Sequence, residues 1–205
     1  MSAMIDVHAP PPWTEDDFDF VADEEIGAQI LDRFGACATP SDAFFEGMES
    51  EGVDRAGLAR VGQLMRFAWV VYVGADGFEF ADDRPGEAAT IALVFLILDH
   101  LGTPIDIAAW SPPRPAALWH ARGCMIGEDG IFAPRMTATA ALLVHPSPRE
   151  WLRAGGRGVV PIDWAKAASL LRRAAPLQAA SLQQGLELRD RLEVRPVRIL
   201  VPAGA

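Results

Sequence analysis

The chain has 205 residues, 50% of them apolar, and a formal net charge of −10. With a mean hydropathy of +0.14 this composition suffices for a buried core and excludes a wholly disordered chain. The longest apolar run, residues 88–98, stops at Asp99 and is too short for a membrane span.

The charge is unevenly spread. Residues 1–50 carry a net −11, residues 51–130 a net −5 and residues 131–205 a net +6. Such asymmetry points to an interaction tail, or to contact between the two ends. The first twelve residues lack the basic start and apolar centre of an export signal. Cys37 and Cys124 stand too far apart to suggest a disulfide scaffold, so a cytoplasmic location is expected.

Residues 1–25 read as an acidic, flexible tail, and residues 26–205 as a single domain. Pro10, Pro11 and Pro12 favour an extended conformation. After them Trp13, Phe18 and Phe20 alternate with carboxylates, a composition suited either to solvent or to docking in a groove. Short helices are predicted over 24–34, 41–48 and 54–65, with Ser41 and Asp54 as N-caps. From about residue 67 the pattern turns to strands. Residues 68–73 and 78–80 flank a turn, 90–98 reads as a central strand, 105–110 returns, and 117–125 forms another antiparallel strand.

The C-terminal part is helical again. Ser147-Pro148-Arg149-Glu150 has capping-box spacing. Asp163 caps a helix bearing Trp164, Ala167, Ala168 and Leu171, and Pro176 opens another to about Leu192 with Ala179, Leu182 and Leu186 inward. Residues 197–201 read as a closing strand. Strands followed by helices predict an α+β fold: a small antiparallel meander packed against the C-terminal helices, with short helices at the N-terminal end.

The chemistry-bearing residues form no recognisable catalytic motif. Residues 154–158 are rich in glycine, but they follow a helix instead of preceding one, which suits a turn better than a phosphate cradle. His120 and Cys124 have spacing compatible with metal ligation, yet no further clustered ligands complete a set. No cofactor, metal or small-molecule ligand is expected. Arg135, Arg149, Arg153, Arg157, Arg172 and Arg173 supply a basic C-terminal part, although a pI near 4.8 opposes steering toward polyanions.

Residues 105–110 (IDIAAW), Trp119, the run Trp151-Leu-Arg-Ala-Gly-Gly-Arg-Gly-Val-Val160 and Trp164 resemble a group of uncharacterised bacterial proteins of prophages and other mobile elements. The resemblance covers residues 89–195. It implies a genomic setting and carries over no functional residue. The leading expectation is a non-enzymatic accessory protein that binds a protein partner or itself, with Trp13, Phe18, Phe20, Arg153, Arg157, Arg172 and Arg173 as candidate contacts. A nucleic-acid-associated protein using the arginines is the alternative, and an enzyme without a readable motif the second.

Overall fold

The computed structural model describes residues 24–81, 86, 88–132, 141–174 and 176–193. Trp13, Phe18, Phe20, Arg135 and the expected strand at 197–201 lie outside the described residues. Glu24 and Glu25, where the expected tail and the expected helix 24–34 overlap, open the first helix.

That helix, α1 (Glu24–Gly35), buries Ile30 and Phe34 one turn apart, while its intervening positions face solvent. The next, α2 (Asp42–Ser50), is capped as expected, with the Phe44 amide donating to Ser41 Oγ at 3.4 Å. In α3 (Arg55–Leu64) the Gly57 amide donates to Asp54 Oδ1 at 2.7 Å. Each cap satisfies a helix-end donor that the helix itself cannot pair.

The α+β class is what the structure shows, but the sheet is more than a meander. Strand β1 (Met65–Val73) turns through Gly74 into β2 (Gly77–Phe80), and β3 (Thr90–Leu98) pairs with the other edge of β1. Strand β4 (Pro104–Trp110) pairs with β3, and β5 (Ala117–Leu118) with β4. A parallel contact, Gly77 opposite Leu118, joins β5 to β2 and closes a five-stranded barrel in the order β1-β2-β5-β4-β3. Closure leaves no free sheet edge, which an open meander would have.

Side-chain alternation sorts the strands into two faces. Val70, Phe78, Val94, Ile107 and Ala117 share one cluster with Ile30 and Phe34, so α1 packs against the barrel lining. The opposite parity, Met65, Phe95, Ile97, Ala108 and Leu118, packs outward against Met48, Val53, Val61 and Trp151. Exposed Trp69, Val73 and Ile91 share this second parity, which identifies it as the outer face.

Several expectations in the second half need correction. Residues 117–125 do not form one strand. After β5, residues 119–124 wrap around the carboxylate of Asp106, with Ala121 at φ +54°, before β6 (Met125–Ile126) begins. Backbone donors that a strand would give to a neighbour go to Asp106 instead. After the short α4 (Asp129–Phe132) and β7 (Leu142–Val144) comes α5 (Pro148–Arg153), which has Pro148 in its first turn as expected. There the Ser147 hydroxyl contacts the Glu150 carboxylate and makes no side-chain cap to the backbone.

Strand β8 (Val160–Pro161) pairs with β6, and α6 (Trp164–Arg173) is capped by Asp163. Pro176 does not open a helix. Residues after it form β9 (Leu177–Ala179), parallel to β7, because that strand offers an unpaired edge. Helix α7 (Leu182–Leu192) therefore starts later, at the Ser181 cap, and its buried face carries Leu188. Leu182 and Leu186, expected inward, are exposed.

The covering of the barrel also differs. Among the C-terminal helices, α5 supplies Trp151 and Leu152 to the outer barrel core. Helices α6 and α7 instead contribute Leu171 and Leu188 to a third cluster with Met125 and Val144. Strand β6 bridges the two, since Ile126 points to the barrel core and Met125 to the third cluster. Among the described residues no helix is long and apolar enough to cross a membrane.

Candidate interaction groove

Among the described residues the buried polar side chains are Asp106, Glu128 and His145, and their bonds are made within the fold. Asp106 is fully buried. Its Oδ1 accepts from the amides of Ile107 and His120, and its Oδ2 from those of Arg122 and Gly123, at 2.8–3.1 Å. A carboxylate holding four amides is a brace for the 119–124 segment, with little capacity left for a reacting group.

Glu128 accepts from the Cys124 amide at 2.9 Å and from the Cys124 thiol at 3.4 Å. Burial raises the pKa of both groups, and the Glu128 carboxyl lifts the thiol further. Burial and Glu128 thus both favour the protonated thiol at Cys124, which donates to that carboxylate. Exposed His120 stacks against Trp119 with ring centroids 4.1 Å apart. Among the described residues no three His, Cys, Asp or Glu side chains gather as metal ligands.

His145 Nε2 lies 2.8 Å from the Arg157 carbonyl, and burial pushes its pKa below the usual value. A carbonyl only accepts, so the neutral ring carries its proton on Nε2. This bond secures the glycine-rich segment 154–158, whose Gly155, Gly156 and Gly158 all have positive φ. Trp151 Nε1 donates to the Gly158 carbonyl at 2.9 Å, and Arg60 Nη1 to the Gly155 carbonyl at 2.7 Å. The segment is a turn that packs α5 onto α3, as its position behind a helix suggests.

The open chemistry lies on the outer face of the barrel. Phe67, Leu93 and Trp110 are successive cross-strand partners on β1, β3 and β4. Phe44 of α2 stands edge-on to Phe67 at 5.5 Å. Where this row meets α2 and α5, a hollow of about 450 Å³ opens between Phe44, Met48, Leu93 and Leu152. A second hollow of about 550 Å³, lined by prolines and Trp164, adjoins it, and both share Trp110 and Pro112. The pair forms an aromatic groove, apolar in the first hollow and of mixed polarity in the second.

Its charge is one-sided. Arg149 and Arg153 line the first hollow, and Arg114 and Arg191 the second, against a single lining carboxylate among the described residues, Glu51. Arg153 Nε donates to Glu51 Oε2 at 2.8 Å. That contact holds the Glu51 carboxyl below the usual carboxylate range and raises the Arg153 guanidinium. The guanidinium of Arg191 lies 4.5 Å over the Trp164 ring, and that of Arg114 lies 5.1 Å over Tyr72.

No family model, curated protein or solved structure matches this chain. The assignment therefore rests on the groove itself.

Of the arginines singled out in the sequence, Arg149 and Arg153 line the groove. Arg157 Nε donates to the Ala154 carbonyl and Arg172 Nε to the Leu192 carbonyl. Those two bonds hold a turn and tie α6 to the end of α7, whereas Arg173 closes the last turn of α6. Sequence reading missed Arg114 and Arg191, which belong to separate segments and converge only in the fold. It also missed Asp106, whose signal was a lone acid inside the apolar run 105–110.

Proposed function

We propose that this chain is a non-enzymatic accessory protein that binds a protein partner through the groove centred on Trp110. One observation carries the reading: an aromatic channel, apolar in its first hollow and of mixed polarity in its second, rimmed among the described residues by four arginines and one carboxylate. Such a channel suits an extended acidic segment carrying aromatic or proline side chains, with apolar burial giving affinity and guanidinium pairs giving selectivity. The buried acids and the imidazole argue for the same reading, because their hydrogen bonds support the fold. A cytoplasmic setting goes with two free thiols, Cys37 and Cys124. A mobile-element origin rests on the resemblance of residues 89–195.

The test is a displayed library of random 16-residue peptides panned against the full-length chain. Ala43→Glu serves for counter-selection: Ala43 is an exposed lining residue in the first turn of α2, where an added acid suits the helix end. Acidic peptides with aromatic residues should be enriched and should lose binding to the Ala43→Glu chain. Enrichment indifferent to that substitution overturns the groove reading. A salt-dependent mobility shift with DNA or RNA, in place of peptide enrichment, favours the nucleic-acid alternative.

A further inference from the structure

The groove's chemistry has a complement in the same chain. Between Trp13 and Phe20 the sequence carries Glu15, Asp16, Asp17 and Asp19, with Phe18 among them and Pro10–Pro12 just before. We propose that this N-terminal segment is the groove's resident occupant, bound within its own molecule and displaced by the partner. The inference rests on the groove reading above and names its first ligand.

Three observations support it. The charges match: four acids span the segment, and four arginines rim the groove. The side-chain types match too, since prolines and aromatics suit a channel walled by Trp110, Trp164 and prolines.

Reach is the third. Helix α1 begins beside the start of β4, because a Cβ on Gly27 would stand 3.6 Å from the Pro104 carbonyl oxygen. Trp110 ends that strand six residues on, about 20 Å away at the rise of an extended chain. Eleven residue steps lead from Trp13 to Glu24. They span up to about 38 Å when extended, so Trp13 has slack to reach the groove from the α1 terminus.

A tethered ligand competes at an effective concentration of about a millimolar. The groove is then closed to weak ligands and open to a partner that binds it better. This gives the acidic end of the chain a role in selectivity.

The test uses a fluorescein-labelled synthetic peptide of residues 8–23 and two full-length chains, the wild type and W13S/F18S/F20S. Anisotropy should show the peptide binding the substituted chain at least ~10-fold more tightly than the wild type, whose groove is already filled. Adding Ala43→Glu to the substituted chain should weaken binding by at least ~10-fold, and rising NaCl should weaken it progressively. Equal affinity for both chains, or indifference to Ala43→Glu, overturns the proposal. Sedimentation supplies another arm: a wild-type dimer dissolved by W13S/F18S/F20S would put the segment on a second copy and overturn binding within one molecule. If library peptides select the groove while the 8–23 peptide does not bind, the occupant is wrong and the groove reading stands. If neither binds, both fall.

Discussion

Gly57 of α3 and Gly155 behind α5 meet backbone to backbone. A Cβ built on Gly57 would stand 2.8 Å from the Gly155 Cα, and the reciprocal distance is 2.9 Å. The approach lets α5 seat Trp151 against Phe95, their rings edge-on with centroids 5.8 Å apart. It therefore helps position α5, which brings Arg149, Leu152 and Arg153 to the first hollow.

Substituting Gly57 opposes two effects. Alanine favours a helix over glycine by about 1 kcal/mol, but the new methyl meets backbone that cannot rotate away, and overpacking of this kind costs about 1–3 kcal/mol. The steric effect should win, so Gly57→Ala should lower the urea midpoint. Gly47→Ala is the control, because a Cβ at Gly47 in α2 meets nothing within 4 Å. It should stabilise the protein by about 0.5–1 kcal/mol. An increase in stability for both variants would mean that the glycine contact does not constrain the packing.

Asp106 offers a sharper test of the 119–124 segment. Replacing it with Asn leaves one carbonyl oxygen and turns an NH₂ group toward backbone donors. The expected loss is about 2–4 kcal/mol in urea unfolding, from unsatisfied buried amides and the lost charge-assisted bonds. Hydrogen exchange should accelerate most at His120, Arg122 and Gly123, whose amides the carboxylate holds. Exchange unchanged at these three sites would remove the brace assigned to Asp106.

His145 predicts a direction with pH. Burial depresses its folded-state pKa, whereas in the unfolded chain it titrates near 6.5. As pH falls through about 6.5 the unfolded state takes up a proton that the folded state refuses, so this group's contribution to stability declines. His145→Gln retains a donor for the Arg157 carbonyl but has no titration there. The advantage of the wild type over this variant, measured by urea unfolding, should shrink from pH 8 to pH 5. A gap that widens on acidification would show that the buried imidazole is charged.

The parts of the fold readable in sequence were those with local causes. Ser41, Asp54 and Asp163 announce helices because a short polar side chain satisfies amides two or three residues on. Strand β3 announces itself by a long apolar run. Barrel closure depends on Gly77 meeting Leu118 across 41 residues, which no local pattern encodes. Strand β9 was hidden because Leu177 to Ala179 becomes a strand only when β7 supplies the edge. The groove is of the same kind: Arg149, Arg153 and Trp164 were noticed, while Arg114 and Arg191 gained their place from tertiary convergence. Charge asymmetry pointed toward contacts, and the groove proposed above gives that reading an address to test.

Glu51 and Arg153 allow that address to be tuned. Their pair sits at the surface, each side chain 48% exposed, so its removal should leave the melting midpoint nearly unchanged. Its effect on binding should be larger, because Glu51 is the single carboxylate among the lining residues and occupies a guanidinium that would otherwise meet an acidic ligand. In the W13S/F18S/F20S background, Glu51→Gln should tighten binding of the 8–23 peptide about 2- to 5-fold at 50 mM NaCl. The gain should fade toward 1 M, where the screening length is about 3 Å. Arg153 holds the Glu51 carboxyl below the usual range, so the wild-type pair stays ionised from pH 5 to 8 and the gain should be constant across that interval. Weaker binding by Glu51→Gln would mean that Glu51 positions Arg153 for the ligand instead of competing for it.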